Sequence, residues 1–207
     1  MQYDCPEPGD ISDVRELNRE FLAELARRQH PGLKDLDRSD GDALTRLAEA
    51  PFLLFELRAP DVGFWDRTFS GTNDLLDSSP KDQSSGAAQV ASTLGFLWHL
   101  SKRDPHAARL FSGSSREWCQ RLAATPLIHA INRALGAGIR PCLRMQADDA
   151  RWRAMVCAAS ATDKATYRVA VTRVLQALLV TADNDATAQA ACRLRSPTRR
   201  FVVRERG

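Results

Sequence analysis

Apolar residues recur every three to four positions along most of this 207-residue chain. The first run, Ile11, Val14, Leu17, Phe21 and Leu25, follows that spacing and predicts an amphipathic helix. Similar stripes continue to near residue 180. The predicted helices cover residues 11–25, 40–50, 90–100, 105–111, 115–135, 150–159 and 167–180.

Short polar residues and chain breakers mark the expected helix ends. Asp10 or Ser12 is expected to cap the first helix, since a side-chain oxygen there accepts a hydrogen bond from an unpaired backbone N–H. Asp104, followed by a proline, is expected to separate two helices, and Ser114 or Ser115 to begin the next. These signals support the helical assignment independently of the apolar stripes.

The apolar run at residues 52–57 has no clear period, and period alone does not separate a buried strand from a buried helix. We predict a helix there, because no other convincing strand is found to pair with it; the late triplet at residues 201–203 is too short. The fold class is therefore all-α, a single-domain bundle of about seven to nine helices over residues 1–192. Residues 70–89 form a polar insertion expected to be mobile, and residues 193–207 an Arg-rich tail.

One short pattern occurs twice. Residues 57–65 have the form L-R-x-x-D-x-x-x-W, and residues 143–152 have the same form with one inserted residue. Either the bundle contains two degenerate helix-loop-helix-helix repeats, or the similarity is chance. In a true repeat, Asp61 and Asp148 are N-caps or first-turn acids, and Trp65 and Trp152 are equivalent core anchors.

Charge is unevenly distributed along the chain. Residues 1–100 hold 10 Lys and Arg against 18 Asp and Glu, whereas residues 101–207 hold 19 against 8. This polarity indicates a basic face for an anionic partner, an acidic half that docks on another copy, or coincidence plus a basic tail. The candidate anion or nucleic-acid contacts are Lys102, Arg103, Arg109, Arg116, Arg121, Arg193, Arg195, Arg199, Arg200, Arg204 and Arg206.

The five cysteines are widely spaced and contain no C-x-x-C pair, so we expect reduced thiols in a cytoplasm. The polar N-terminus predicts no signal peptide, and no apolar stretch is long enough to span a membrane. Only four of the 29 basic residues are lysines, a bias typical of a GC-rich bacterial genome.

Motifs for nucleotide, metal or acyl-transfer chemistry are absent from the sequence. The serines at residues 112–115, near His99 and His106, are expected to serve a turn rather than a Ser–His pair. Cys119 is expected to be a packed thiol, and the scattered histidines give no metal-ligand spacing. We therefore predict no cofactor, no metal and no catalytic residue.

The remaining function classes involve binding. The first prediction is a non-enzymatic helical adaptor or regulatory protein that binds a protein partner. The second is a nucleic-acid-associated protein that uses the basic C-terminal half, and the third is an enzyme whose site forms only in the fold. Trp65, Trp98, Trp118 and Trp152 all lie on apolar stripes and are predicted to be largely buried core anchors.

Overall fold

Helices dominate the computed structural model, which describes residues 7–36, 41–58, 63–70, 85–145, 149–161 and 163–177. This confirms the all-α class. The helices are α1 (Pro8–Arg27), α2 (Gly41–Ala48), α3 (Phe64–Phe69), α4 (Ser85–Arg103), α5 (Pro105–Ser112), α6 (Arg116–Ala124), α7 (Leu127–Gly136), α8 (Ala150–Ser160) and α9, helical over described residues 164–177. A 3₁₀ turn spans Pro31–Leu33.

Several helix starts follow the sequence signals. The Asp104 carboxylate accepts from the N–H of His106 at the start of α5, and the Ser115 hydroxyl accepts from the N–H of Trp118 in α6. Local cap chemistry therefore places the starts of α5 and α6 correctly. α9 begins earlier than the predicted residue 167, and Asp163 accepts from the N–H of Ala165 at its start.

Other boundaries differ from the prediction. α1 begins earlier, after Glu7, whose N–H donates to the Asp10 carboxylate at 2.8 Å. The helix predicted over residues 115–135 is two helices, because Pro126 lacks an N–H and interrupts the hydrogen-bond ladder. Residues 85–89, assigned to the polar insertion, are the first turn of α4; the rest of the insertion from residue 71 lies outside the described residues, as does the tail.

The helix predicted for residues 52–57 is wrong. Residues Phe55–Arg58 form strand β1, which pairs antiparallel with β2, Arg140–Leu143. The run lacks alternation because its consecutive residues Phe52 to Phe55, which lead into the strand, are all at most 1% exposed. The partner strand escaped notice because Pro141 and flanking arginines are poor strand formers.

The two motif copies meet in this sheet. Each contributes a strand, followed by a helix that carries its tryptophan: β1 and α3 with Trp65, β2 and α8 with Trp152. Glu56 lies opposite Cys142 in the sheet. When the two motif copies are aligned by Leu57 and Leu143, Glu56 and Cys142 are also equivalent positions, so each pairs with its own counterpart. A local two-fold axis through the Glu56–Cys142 pair therefore exchanges the strands with the motif in register.

Part of the helix packing follows the same exchange. In each half, two helices precede the strand and two follow it. The first half has the order α1, α2, β1, α3, α4, and the second has the order α6, α7, β2, α8, α9. Helix α5 connects the two halves. α3 contacts α7, and reciprocally α8 contacts α2. α4 contacts α7, and in α9 the Tyr167 hydroxyl donates to the carbonyl of Leu47 in α2 at 3.2 Å. This arrangement supports the duplication hypothesis, with helix–helix–strand–helix–helix as the unit.

The N-caps of α3 and α8 are not the aspartates of the two motif copies. Gly63 precedes α3, and Asp149 caps α8 by accepting from the N–H of Arg151. Asp61 and Asp148 themselves lie outside the described residues. The cap of α8 is therefore one residue later than predicted.

Candidate functional site

The first two predicted basic contacts lie at the end of α4. The Nζ of Lys102 lies 3.9 Å from the ring centroid of Trp98, a cation–π contact. Arg103 forms ion pairs with Asp10 and, at 3.4 Å, with Glu7 of α1. These acidic side chains, together with the carboxylate of Asp104, raise the pKa of Arg103. The charge of Arg103 therefore forms ion pairs that link the end of α4 to the start of α1.

The other described members of the set lie on α5 and α6. Arg121 forms an ion pair with Asp66 of α3 and donates to the Asp66 carbonyl at 3.1 Å. Arg109 is half-buried beside Cys119, and Arg116 is exposed. Arg193, Arg195, Arg199, Arg200, Arg204 and Arg206 lie outside the described residues. Nucleic-acid binding through these residues therefore stays a prediction.

The candidate nucleophiles have structural partners. Cys119 is fully buried, and burial raises the pKa of its thiol to about 11, so the thiolate is scarce at neutral pH. The Ser112 hydroxyl donates to the Ala108 carbonyl and accepts from the Ser114 N–H, as expected for a turn. Within the part of the chain that the structure describes, no group of three or more His, Cys, Asp or Glu is placed to hold a metal ion.

A cluster of aromatic rings reaches the surface where α3 meets α6. The rings of Trp65 and Phe69 stack with centroids 5.6 Å apart, and the Trp118 ring lies edge-on to both, at 5.4 and 5.9 Å. All three side chains are only half-buried. We call Trp65, Phe69 and Trp118 the aromatic surface.

A polar pair borders the aromatic surface. The guanidinium carbon of Arg121 lies 5.1 Å from the Phe69 ring centroid while its nitrogens bind Asp66, whose side chain is 59% exposed. Aromatic rings with a charged border are the arrangement typical of protein-binding sites. Phe69 was not among the sequence candidates; the available signal was the i, i+4 spacing of Trp65 and Phe69, which puts two rings on one helix face.

Of the four tryptophans predicted to be largely buried core anchors, Trp152 is completely buried, whereas Trp65, Trp98 and Trp118 are partly buried and pack against the core. Trp152 is 0% exposed and donates from its indole Nε1 to the Gly32 carbonyl at 2.7 Å. Trp98 donates to the Thr125 carbonyl but is half-buried, as are Trp65 and Trp118. Among the described residues, the indole N–H groups of Trp65 and Trp118 have no hydrogen-bond acceptor. A helical stripe predicts which side of a helix faces inward, not how completely neighbouring elements cover it.

No protein-family model, curated protein or solved structure matches this chain. No helix in the described ranges is long and apolar enough to cross a lipid bilayer.

Proposed function

We propose that this protein is a non-enzymatic helical adaptor or regulatory protein of the bacterial cytoplasm, which binds a protein partner through the aromatic surface. The observation that carries the proposal is the packing of Trp65, Phe69 and Trp118 against one another at half-burial. Large rings already ordered by their neighbours lose little conformational freedom on binding, so their remaining apolar area contributes efficiently to affinity.

The border of the aromatic surface supports the same function. The Asp66–Arg121 ion pair orders the guanidinium beside the Phe69 ring and leaves the carboxylate largely exposed. Tryptophan and arginine are the side chains most often responsible for binding energy at protein interfaces. A cytoplasmic location agrees with the three described cysteines, Cys119, Cys142 and Cys157, all of which are free thiols.

The proposal is tested by affinity capture with the tagged full-length chain from a lysate of the source bacterium, with nuclease throughout. Phe69→Ser removes one ring of the aromatic surface, and Asp66→Lys reverses the charge of its exposed border. Val169→Ser is the matched control, because Val169 is a 51% exposed apolar residue on α9. Circular dichroism and the Tm of each variant verify folding.

We expect a discrete partner that the wild type and Val169→Ser retain in stoichiometric amounts. Phe69→Ser and Asp66→Lys should each reduce its retention by about tenfold or more, the loss typical of an interface hot spot. Equal retention by all four proteins, or retention that nuclease abolishes, would contradict the proposal. The second outcome would instead favour the nucleic-acid prediction.

A further inference from the structure

The two-fold relation between the halves pairs Trp65 of the aromatic surface with Trp152, a tryptophan that another segment of the chain covers. Trp65 in α3 corresponds to Trp152 in α8, since each lies in the first turn of the helix after its strand. The two tryptophans nevertheless differ in exposure: Trp152 is fully buried and Trp65 is half-buried. Whatever covers Trp152 is therefore a guide to what would cover Trp65.

The cover of Trp152 is the short segment at residues 30–33, between α1 and α2. A Cβ added to Gly32 would lie 3.3 Å from the Trp152 Nε1 and 3.2 Å from Leu143 Cδ2, so the backbone of this segment sits directly on the indole and the strand. The Gly32 carbonyl accepts the indole N–H, and the His30 Nδ1 accepts the Gly32 N–H at 3.0 Å. A narrow, side-chain-free backbone is what allows this close approach.

The other half has no room for such a segment. The connection between α6 and α7, which corresponds to that between α1 and α2, consists of Thr125 and Pro126 alone. Both residues are occupied by the turn: Thr125 donates its N–H to the Arg121 and Leu122 carbonyls, and Pro126 is the N-cap of α7. The rings of Phe64, Phe69 and Trp118 pack around the Trp65 ring, but the described residues offer no acceptor to the Trp65 N–H.

From this difference we infer that the aromatic surface binds a glycine-containing loop of a partner protein, which lies on Trp65 as residues 30–33 lie on Trp152. A backbone carbonyl of that loop accepts the Trp65 indole N–H, and a glycine beside it permits the close approach. The inference rests on the proposed function and specifies the chemistry of the partner. Satisfying an indole N–H while burying its ring favours binding on both counts.

The probe is a synthetic peptide with the sequence of residues 28–36 of this chain, RQHPGLKDL, with acetylated and amidated ends. The full-length protein carries ¹⁵N-labelled tryptophan, so its four tryptophans give four indole N–H signals, which single Trp→Phe variants assign. We expect the peptide to move the Trp65 signal downfield, as hydrogen bonding to a carbonyl deshields the proton, and to perturb Trp118. Trp152, already bonded to Gly32, should not move.

A short peptide without the rest of the partner should bind with a Kd of roughly 0.1–1 mM. The control peptide contains Gly32→Val and should shift Trp65 at least about fivefold less at equal concentration, because a branched side chain prevents the close approach. An equal shift by both peptides would overturn the inference.

Further outcomes distinguish this inference from the proposed function and from other occupants. No Trp65 shift at about 5 mM peptide, with partner capture still lost in Phe69→Ser, would overturn the inference and leave the proposed function standing. A Trp65 signal that moves with protein concentration alone, together with a dimer mass, would overturn it in favour of a second copy. Peptide binding only after residues 71–84 are replaced by a Gly-Ser linker would overturn it in favour of the chain's own segment.

Discussion

The guanidinium of Arg144 occupies the space that a side chain at Gly113 would fill. A Cβ at Gly113 would overlap the Arg144 Nη2 and Cζ and lie 2.8 Å from its Nε. Gly113 ends α5 at φ +70°, and Arg144 Nη1 lies 3.5 Å from the carbonyl oxygens of Phe111 and Leu53. A glycine at the end of α5 thus admits a half-buried cation to the negative end of that helix.

Gly113→Ala is expected to destabilise the protein by about 3 kcal/mol, because it adds left-handed backbone strain and displaces a hydrogen-bonded guanidinium. The matched control is Gly138→Ala: Gly138 has a similar φ of +67°, but nothing lies within 4 Å of an added Cβ. The control should cost only about 1 kcal/mol of strain. Urea unfolding measures both values, and equal costs would show that Arg144 moves aside freely.

Cys119 should make stability decrease with pH above about pH 9. Burial raises the pKa of its thiol to about 11 in the folded protein, whereas the unfolded chain releases that proton near pH 9. Between these values the folded state binds more protons, so the free energy of unfolding falls as pH rises, by about 1 kcal/mol from pH 8 to pH 10. Urea unfolding at both pH values measures the loss.

Two variants test whether Cys119 is responsible for that loss. Cys119→Ala should remove about 1 kcal/mol of the pH dependence, whereas Cys157→Ala, at an exposed position on α8, should retain it. Thiol titration of the native wild type should modify Cys157 rapidly and Cys119 only on unfolding. Rapid modification of Cys119 at pH 8 would contradict this burial argument.

The tryptophans should contribute differently to the free energy of unfolding, according to how completely each side chain is buried. Trp152→Ala should cost about 3–5 kcal/mol, since the side chain is fully buried and its N–H is bonded. Trp98→Ala should cost only about 1–2 kcal/mol, because half-burial leaves less contact to lose. Chemical denaturation of the two variants gives the comparison. If Trp98→Ala cost as much stability as Trp152→Ala, a half-buried tryptophan would contribute as much to the core as a fully buried one.

Asn18 is expected to be among the most sensitive polar positions. It is 0% exposed on α1, donates to the Phe52 carbonyl and accepts from the Leu54 N–H, both at 2.9 Å. Asn18→Ala leaves these buried backbone groups without partners and should cost about 2–4 kcal/mol. Asn132→Ala, at an exposed position on α7, is the control and should change stability by less than about 0.5 kcal/mol. A small effect at Asn18 would mean that the chain before β1 relaxes to other partners.

Helices and caps could be predicted because their determinants are local. The stripe through Val14, Leu17 and Phe21 lies on one side of any helix formed there, whatever packs against it. Likewise, Asp104 and Ser115 cap neighbouring N–H groups within their own helices. For such elements the sequence contains both partners of the decisive interaction within a few residues.

The strand β1 could not be predicted in this way, because its partner is distant. An apolar run whose consecutive residues are all buried carries no period, so pairing decides between helix and strand. The pairing joins Phe55 to Leu143. Asn18, from a third part of the chain, hydrogen-bonds to the backbone of Phe52 and Leu54 just before the strand. The same limit applies to charge: Arg103 belongs to the basic half of the sequence, but in the fold it is bound by Asp10 and Glu7 of the acidic half.

The sequence by itself determined the helical class, most caps and the presence of two similar tryptophan motifs, since apolar periodicity and capping act over a few residues. Only the tertiary structure decided that the tryptophan of one motif is fully buried and that of the other only partly. Trp65 and Trp152 have similar local sequences, yet residues 30–33 reach Trp152, while Thr125 and Pro126 leave Trp65 only partly buried. Burial depends on what distant segments place over a side chain, and that is a property of packing rather than of local sequence.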